Sequence, residues 1–178
     1  MSFREAPVLE TERLVLRPYR LEDFDAFAAY FASSRSRFTD GPVSRIQAWD
    51  LFTAGAGRWA IAGHGAWSIT VRGDDAGIGL VALNTPITLP YPELGYILWQ
   101  GFEGRGTARE AAEAARDFAF DRLGWSTLIS GIHKDNASSI RLAERMGAVA
   151  DSSIKLEDEP ETLFFRHTKR TPRTSPNA

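Results

Sequence analysis

Apolar and polar positions alternate first in "TERLVLRPYR", where Leu14, Leu16 and Pro18 fall on one side and Arg13, Val15 and Arg17 on the other. A period of two predicts a strand, which Pro18 ends or pushes to an edge. The period then lengthens. In "LEDFDAFAAYF", Leu21, Phe24, Phe27, Ala28 and Phe31 recur at helical spacing behind first-turn acids, so a helix is expected. A second helix is expected from Ser44 to about Thr53, its end blurred by Gly55 and Gly57. Three strands follow: "AWSITVR", "IGLVALN" and "ELGYILWQ", the first two joined by the turn "GDDAG". The third is apolar and aromatic enough to be central. Next comes a helix from Thr107 to about Leu123, with Ala111, Ala112, Ala115, Phe118 and Ala119 as its buried stripe. "STLISGIH" reads as a strand and "ASSIRLAERMG" as a short helix stopped by Gly147. "AVADSSIKL" and "ETLFFRHTK" read as a closing hairpin. This order is α+β, not a regular βαβ alternation. It predicts one domain over residues 1–168 and a polar tail over 169–178.

Composition narrows the function classes. A chain of 178 residues, 43% hydrophobic and 25% charged, suits one globular domain. A net charge of −2 argues against a broad electrostatic grip on nucleic acid or an anionic membrane. The chain has no cysteine, which removes disulfides, a thiolate nucleophile and cysteine metal ligands. The start has no signal-peptide core and no stretch reaches membrane-spanning length, so a soluble, cytoplasmic protein is expected. His64, His133 and His167 are scattered without metal-ligand spacing, so no metal is expected. His133 precedes Asn136 and is a candidate second base, or else a plain strand-end residue; His64 and His167 read as loop and late-strand surface residues. Phe38, Trp59 and Trp67 are candidates for an acceptor pocket, with helix packing as the simpler role.

The segment "GFEGRGTAREAAEAARDFAF" places Gly101, Gly104 and Gly106 directly before a strong helix. A helix start carries unpaired N–H groups and partial positive charge, and glycine lets an anion reach the backbone. Arg105 and Arg109 add charge. The chemistry is that of a phosphate or pyrophosphate site, set against a plain strand-to-helix turn. A dinucleotide fingerprint fails, because Arg109 stands where its last glycine belongs, and a P-loop fails because Thr107 stands where lysine belongs.

About thirty residues on, "HKDNASSIRLAERMGA" joins a strand end to another helix. Gly104-Arg105-Gly106-Thr107-Ala108 followed by Asn136, Ser139, Leu142, Glu144 and Gly147 resembles the GNAT superfamily of N-acetyltransferases. "ELGYIL" and "TERLVLRPYRLEDF" are similar to its RimJ/RimL branch of ribosomal-protein N-terminal acetyltransferases. The likeness covers roughly residues 8–168. It implies a mixed, strongly twisted sheet of six or seven strands with about four helices and a splayed parallel pair that takes acetyl-CoA as co-substrate.

The resemblance also implies roles. Glu103, Gly104, Arg105, Gly106, Thr107 and Ala108 would hold the pyrophosphate. Ile97, Leu98 and Trp99 would pair with the pantetheine arm. Asn136 would hydrogen-bond that arm, and Ser139 would lie near the thioester sulfur. The superfamily often has a tyrosine four residues past Ser139; here it is Ala143, which leaves Ser139 or water to protonate the thiolate. Glu93 is the candidate base, directly or through water, or else a solvated strand-end charge. Ser139 is the candidate acid, or only part of a helix cap. The expected reaction is direct acetyl transfer to a primary amine, either a protein N-terminus or a small molecule. A non-catalytic acyl-CoA-binding module is the alternative. Dimerisation is common in that branch, so a homodimer is compatible with the resemblance.

Overall fold

The protein is described by a computed structural model covering residues 5–39 and 41–169. Apart from Lys169, the expected tail lies outside the described residues. Among the described residues eight strands form one sheet in the order β1-β2-β3-β4-β5-β6-β8-β7. They are β1 (Leu9–Glu10), β2 (Leu14–Arg17), β3 (Ala66–Val71), β4 (Gly79–Asn84), β5 (Glu93–Leu98), β6 (Leu128–His133), β7 (Val149–Ala150) and β8 (Thr162–His167). Four α-helices accompany them: α1 (Phe24–Ala32), α2 (Arg45–Ala62), α3 (Thr107–Asp121) and α4 (Ala137–Arg145). The α+β class and the splayed parallel pair are as expected. The strand count exceeds six or seven because β1 and β7 are two-residue edge pieces.

Neighbouring strands pair antiparallel except β5 and β6, which are parallel and joined by α3. Their register is a single pair, Glu93 with Ile129. Beyond it the strands diverge, and the cleft opens there. The vertex is fastened from β8. The Ser130 hydroxyl donates to the Leu94 carbonyl at 2.7 Å and accepts from His167 Nε2 at 3.0 Å.

The α3 stripe of Ala111, Ala112, Ala115 and Ala119 packs against Leu83, Leu94 and Leu128 in the main core. Phe118 is only half-buried, at the margin of that core. On another face, Phe24, Phe27, Phe31 and Phe52 of α1 and α2 cover Ala66, Leu80 and Ala82. A third cluster joins Ala143 of α4 to Ile132, Ala148 and Phe165.

Two elements differ from the sequence expectation. Helix α2 runs through Gly55 and Gly57 to Ala62 and stops at Gly63, which is left-handed at φ 74°. A Cβ on Gly55 would sit 3.3 Å from the Tyr19 ring, so that glycine permits close approach and is not a stop. The expected strand "AVADSSIKL" shrinks to Val149–Ala150, and the chain then loops until Thr162.

Charge also enters the interior. Arg17 and Asp23 are both buried and joined at 2.7 and 2.8 Å, and Ser68 donates to the same carboxylate at 2.7 Å. Burial alone would raise the Asp23 pKa. The hydrogen bonds from Arg17, Ser68 and the Arg20 N–H outweigh it and hold the pKa below the usual carboxylate range. Among the described residues, no helix is long and apolar enough to cross a membrane.

Candidate active site

The cleft between β5 and α4 has a volume of about 630 Å³, within the range of small-molecule sites. Its mouth is the glycine loop. Gly104 and Gly106 both stand at φ 77°, which L side chains rarely adopt, and both line the cleft. Gly106 is the N-cap of α3, and no side chain caps the helix there. The first N–H groups of α3 therefore face the cleft without the serine or aspartate partner that usually satisfies them. The loop is braced from behind: the Arg13 guanidinium pairs with Glu110 at 2.6 Å and donates to the Arg105 carbonyl at 2.9 Å. Arg105 itself does not line the cleft, whereas Thr107 and Ala108 do.

Five arginines line this cleft: Arg35, Arg37, Arg109, Arg141 and Arg145. Glu103 is the one acidic side chain lining it among the described residues. Arg35 pairs with Glu103 and donates to the Leu98 carbonyl at 3.1 Å. The Glu103 carboxylate also accepts from the Gly101 N–H at 2.8 Å.

Strand β5 gives one wall. Trp99 donates its N–H to Ile78 beside β4, and its ring packs on Phe27 and behind Tyr30 without lining the cleft itself. Backbone direction alternates along a strand, so the Ile97 N–H and C=O also turn to β4, although Ile97 itself lines the cleft. The backbone of Tyr96 and Leu98 faces the open edge. Sequence reasoning singled out Ile97, Leu98 and Trp99 and passed over Tyr96.

Helix α4 gives the other wall. Asn136 is its N-cap, with Oδ1 accepting from the Ser139 N–H at 3.3 Å and from the Ser138 hydroxyl at 2.9 Å. Capping thus uses the oxygen and leaves the amide NH₂ for a ligand. Ser139 lines the cleft, and its carbonyl accepts from the Tyr96 hydroxyl at 3.2 Å. Burial pushes the Tyr96 phenol well above its ordinary pKa.

Glu93 lies at the vertex, where one carboxylate oxygen accepts from the Gly131 N–H at 3.3 Å. His133 lies two residues further along β6, and its ring meets Phe38 with centroids 5.1 Å apart. His133 Nδ1 accepts from the Asp135 N–H at 3.2 Å, so Nε2 carries the proton and donates to Glu161 at 3.1 Å. Both ring nitrogens are engaged, which weakens the case for His133 as a second base. The other histidines are not surface residues. His64 is buried beside the Leu83 carbonyl, and His167 is 2% exposed, with burial and the nearby Arg116 lowering its pKa to about 4. Trp59 and Trp67 are core residues 4.6 Å apart, so of the three candidate aromatics only Phe38 reaches the cleft. No metal-binding group exists among the described residues.

Residues 13–149 match the family model for an acetyltransferase (GNAT) domain. An acetyltransferase structure from Agrobacterium tumefaciens is 38% identical, with a TM-score of 0.88, over 95% of this chain and 98% of that one. The uncharacterised N-acetyltransferase p20 of Bacillus licheniformis is 30% identical over 75% of this chain and 78% of its own length. The uncharacterised protein YkkB of Bacillus subtilis is 31% identical over 42% of this chain, a match spanning 43% of that protein. A structure of the RimL ribosomal alpha-N-protein acetyltransferase in complex with coenzyme A shares the fold at a TM-score of 0.74 and 14% identity, over 92% of this chain and 98% of that one. With the splayed pair, the glycine loop and these matches together, the chain belongs to the GNAT acetyltransferase family and is an N-acetyltransferase.

Proposed function

We propose that the cleft holds acetyl-CoA with its pyrophosphate on the N-terminus of α3, and that the acetyl group passes directly to a primary amine in a ternary complex. One observation carries this reading: an uncapped helix start with left-handed glycines at and before its cap opens on a cleft lined by Tyr96, Ile97 and Leu98 of β5 and by Asn136 and Ser139 at the start of α4. A helix start of this kind is an anion site. Arg37, Arg109, Arg141 and Arg145 supply further positive charge for the phosphates. The outward edge of Tyr96 and Leu98 suits the amide-bearing arm, as an added strand suits a sheet edge. The amide of Asn136 reaches the arm from the opposite wall.

The chemistry runs at the vertex. Glu93 takes the proton from the attacking amine, directly or through one water. The Tyr96 N–H, on the open edge of β5, faces the developing oxyanion. With no cysteine in the chain, a thiol acyl-enzyme is excluded and direct attack is the simpler route.

The acceptor we favour is a protein N-terminus. Among the described residues five arginines and one glutamate line the cleft, with Arg35 and Arg109 paired to Glu103 and Glu113; the remaining surplus of positive charge disfavours polycations such as polyamines and aminoglycosides. The motifs similar to the RimJ/RimL branch, and the fold shared with RimL, point the same way. The test is release of free CoA thiol from acetyl-CoA with a panel of peptides bearing free α-amino groups, beside spermidine and an aminoglycoside. Turnover confined to the polycations would reject the peptide reading.

A further inference from the structure

We propose that the hydroxyl of Tyr96 is the proton donor to the departing CoA thiolate. The inference rests on the acetyl-CoA reading of the cleft. Ala143 is fully buried against Ile132 and Phe165, so no side chain on that turn of α4 offers a hydroxyl to the cleft. Tyr96 supplies one from the facing strand. Its ring is packed on the main core, which fixes its direction, and its oxygen reaches 3.2 Å from the Ser139 carbonyl across the gap. The one hydroxyl proton is given to that carbonyl across the opening, and it would turn from the carbonyl to the sulfur when the thioester enters. Tyr30, the other phenol lining the cleft, has its oxygen 3.3 Å from both the Arg35 carbonyl and the Thr39 hydroxyl.

Position along β5 fits the division of labour. Side chains alternate between faces, so Glu93 and Tyr96, three residues apart, lie on opposite faces of the strand. An amine approaching on the Glu93 side loses its proton there, while the sulfur leaves on the Tyr96 side. The amine nitrogen bonds to the carbonyl carbon and the carbon–sulfur bond breaks. The sulfur keeps the electron pair and takes the Tyr96 proton. The phenolate is reprotonated from solvent, which receives the proton released through Glu93, so no net proton is consumed.

Acidity favours Tyr96 over Ser139. A phenol ordinarily ionises near pH ~10 and a thiol near ~8.5, whereas a serine hydroxyl is a far weaker acid. Burial raises the Tyr96 phenol, which keeps it protonated, and so able to donate, at neutral pH.

The test compares wild type with Tyr96→Phe and Ser139→Ala. CoA affinity is measured by calorimetry from about pH 7 to about pH 10, where the thiol ionises, with desulfo-CoA as control. A hydroxyl that donates to sulfur favours the bound thiolate. Tyr96→Phe should therefore bind CoA within about twofold of wild type at the low end and about tenfold more weakly at the high end, the scale of a hydrogen bond to a charged group. Desulfo-CoA should show no such difference. Turnover with a short α-amino peptide should fall at least tenfold in Tyr96→Phe with the acetyl-CoA KM unchanged. Fluorotyrosine at position 96 keeps the packing and should move the alkaline fall of kcat to lower pH.

Equal pH profiles for wild type and Tyr96→Phe, or a loss confined to Ser139→Ala, would overturn the assignment. Failure of wild type to bind CoA removes the cofactor reading and this inference together. Failure to acetylate the peptide removes only the acceptor reading, and the CoA comparison still decides Tyr96.

Discussion

The amide of Gly131 on β6 donates to the carboxylate of Glu93 on β5 across the vertex of the splayed strands, at 3.3 Å. The bond holds the proposed base at the point where the two strands part. Replacing Glu93 with Gln keeps the shape and removes the basic oxygen. Turnover should fall at least 10²-fold, as for loss of a general base, while CoA affinity stays within about twofold. Steady-state kinetics and calorimetry on the same preparation check both halves.

Gly131 itself is sterically confined. An added Cβ would lie 3.0 Å from Glu93 Oε1, 3.2 Å from a Phe164 ring carbon and 3.3 Å from the Thr162 methyl. Gly131→Ala should therefore displace the carboxylate and destabilise the fold by about 1–2 kcal/mol through overpacking. The expected signature is a drop in kcat larger than the change in acetyl-CoA KM.

Gly104 separates backbone strain from crowding. Nothing lies within 4 Å of its absent Cβ, yet its φ is 77°. Gly104→Ala should cost about 1 kcal/mol of stability from the left-handed backbone. It should weaken CoA at least tenfold, because the methyl projects where a phosphate would approach. Denaturant melts and CoA titrations measure the two effects independently.

His167 makes stability fall in acid. Its folded pKa is about 4, below the unfolded value of about 6.5, so the unfolded chain binds the extra proton between them. That contribution is complete above about pH 6.5 and is lost as the pH falls towards 4, reaching about 3 kcal/mol in all. Urea unfolding at pH 7 and pH 5 should show the drop, and His167→Gln should flatten it.

The β5–loop–α3 unit was legible because each of its signals is local: an apolar strand, three glycines, then alanines at helical spacing. Long-range effects were not. Strand alternation set Arg17 among the polar positions of β2, but Asp23 and Ser68 draw it into the interior. His167 and His64 read as surface residues until β8 and the α2–β3 turn placed them against the sheet. Tyr96 is one more aromatic in an apolar strand until the approach of α4 brings the Ser139 carbonyl to its hydroxyl. Gly55 resembles a helix stop in the sequence, yet α2 continues through it, and its lack of a side chain serves contact with Tyr19.

The measurement that bears most directly on the cleft is thermal unfolding with acetyl-CoA, CoA, ATP and NAD at matched concentrations. A ligand at about 100 times its dissociation constant adds about 2.7 kcal/mol. In a domain of this size that raises Tm by roughly 5–10 °C. Acetyl-CoA and CoA should both produce such a rise, ATP and NAD should not, and Gly104→Ala should reduce it. An unchanged Tm with acetyl-CoA and CoA, or an equal rise with ATP, would contradict a CoA site at the start of α3.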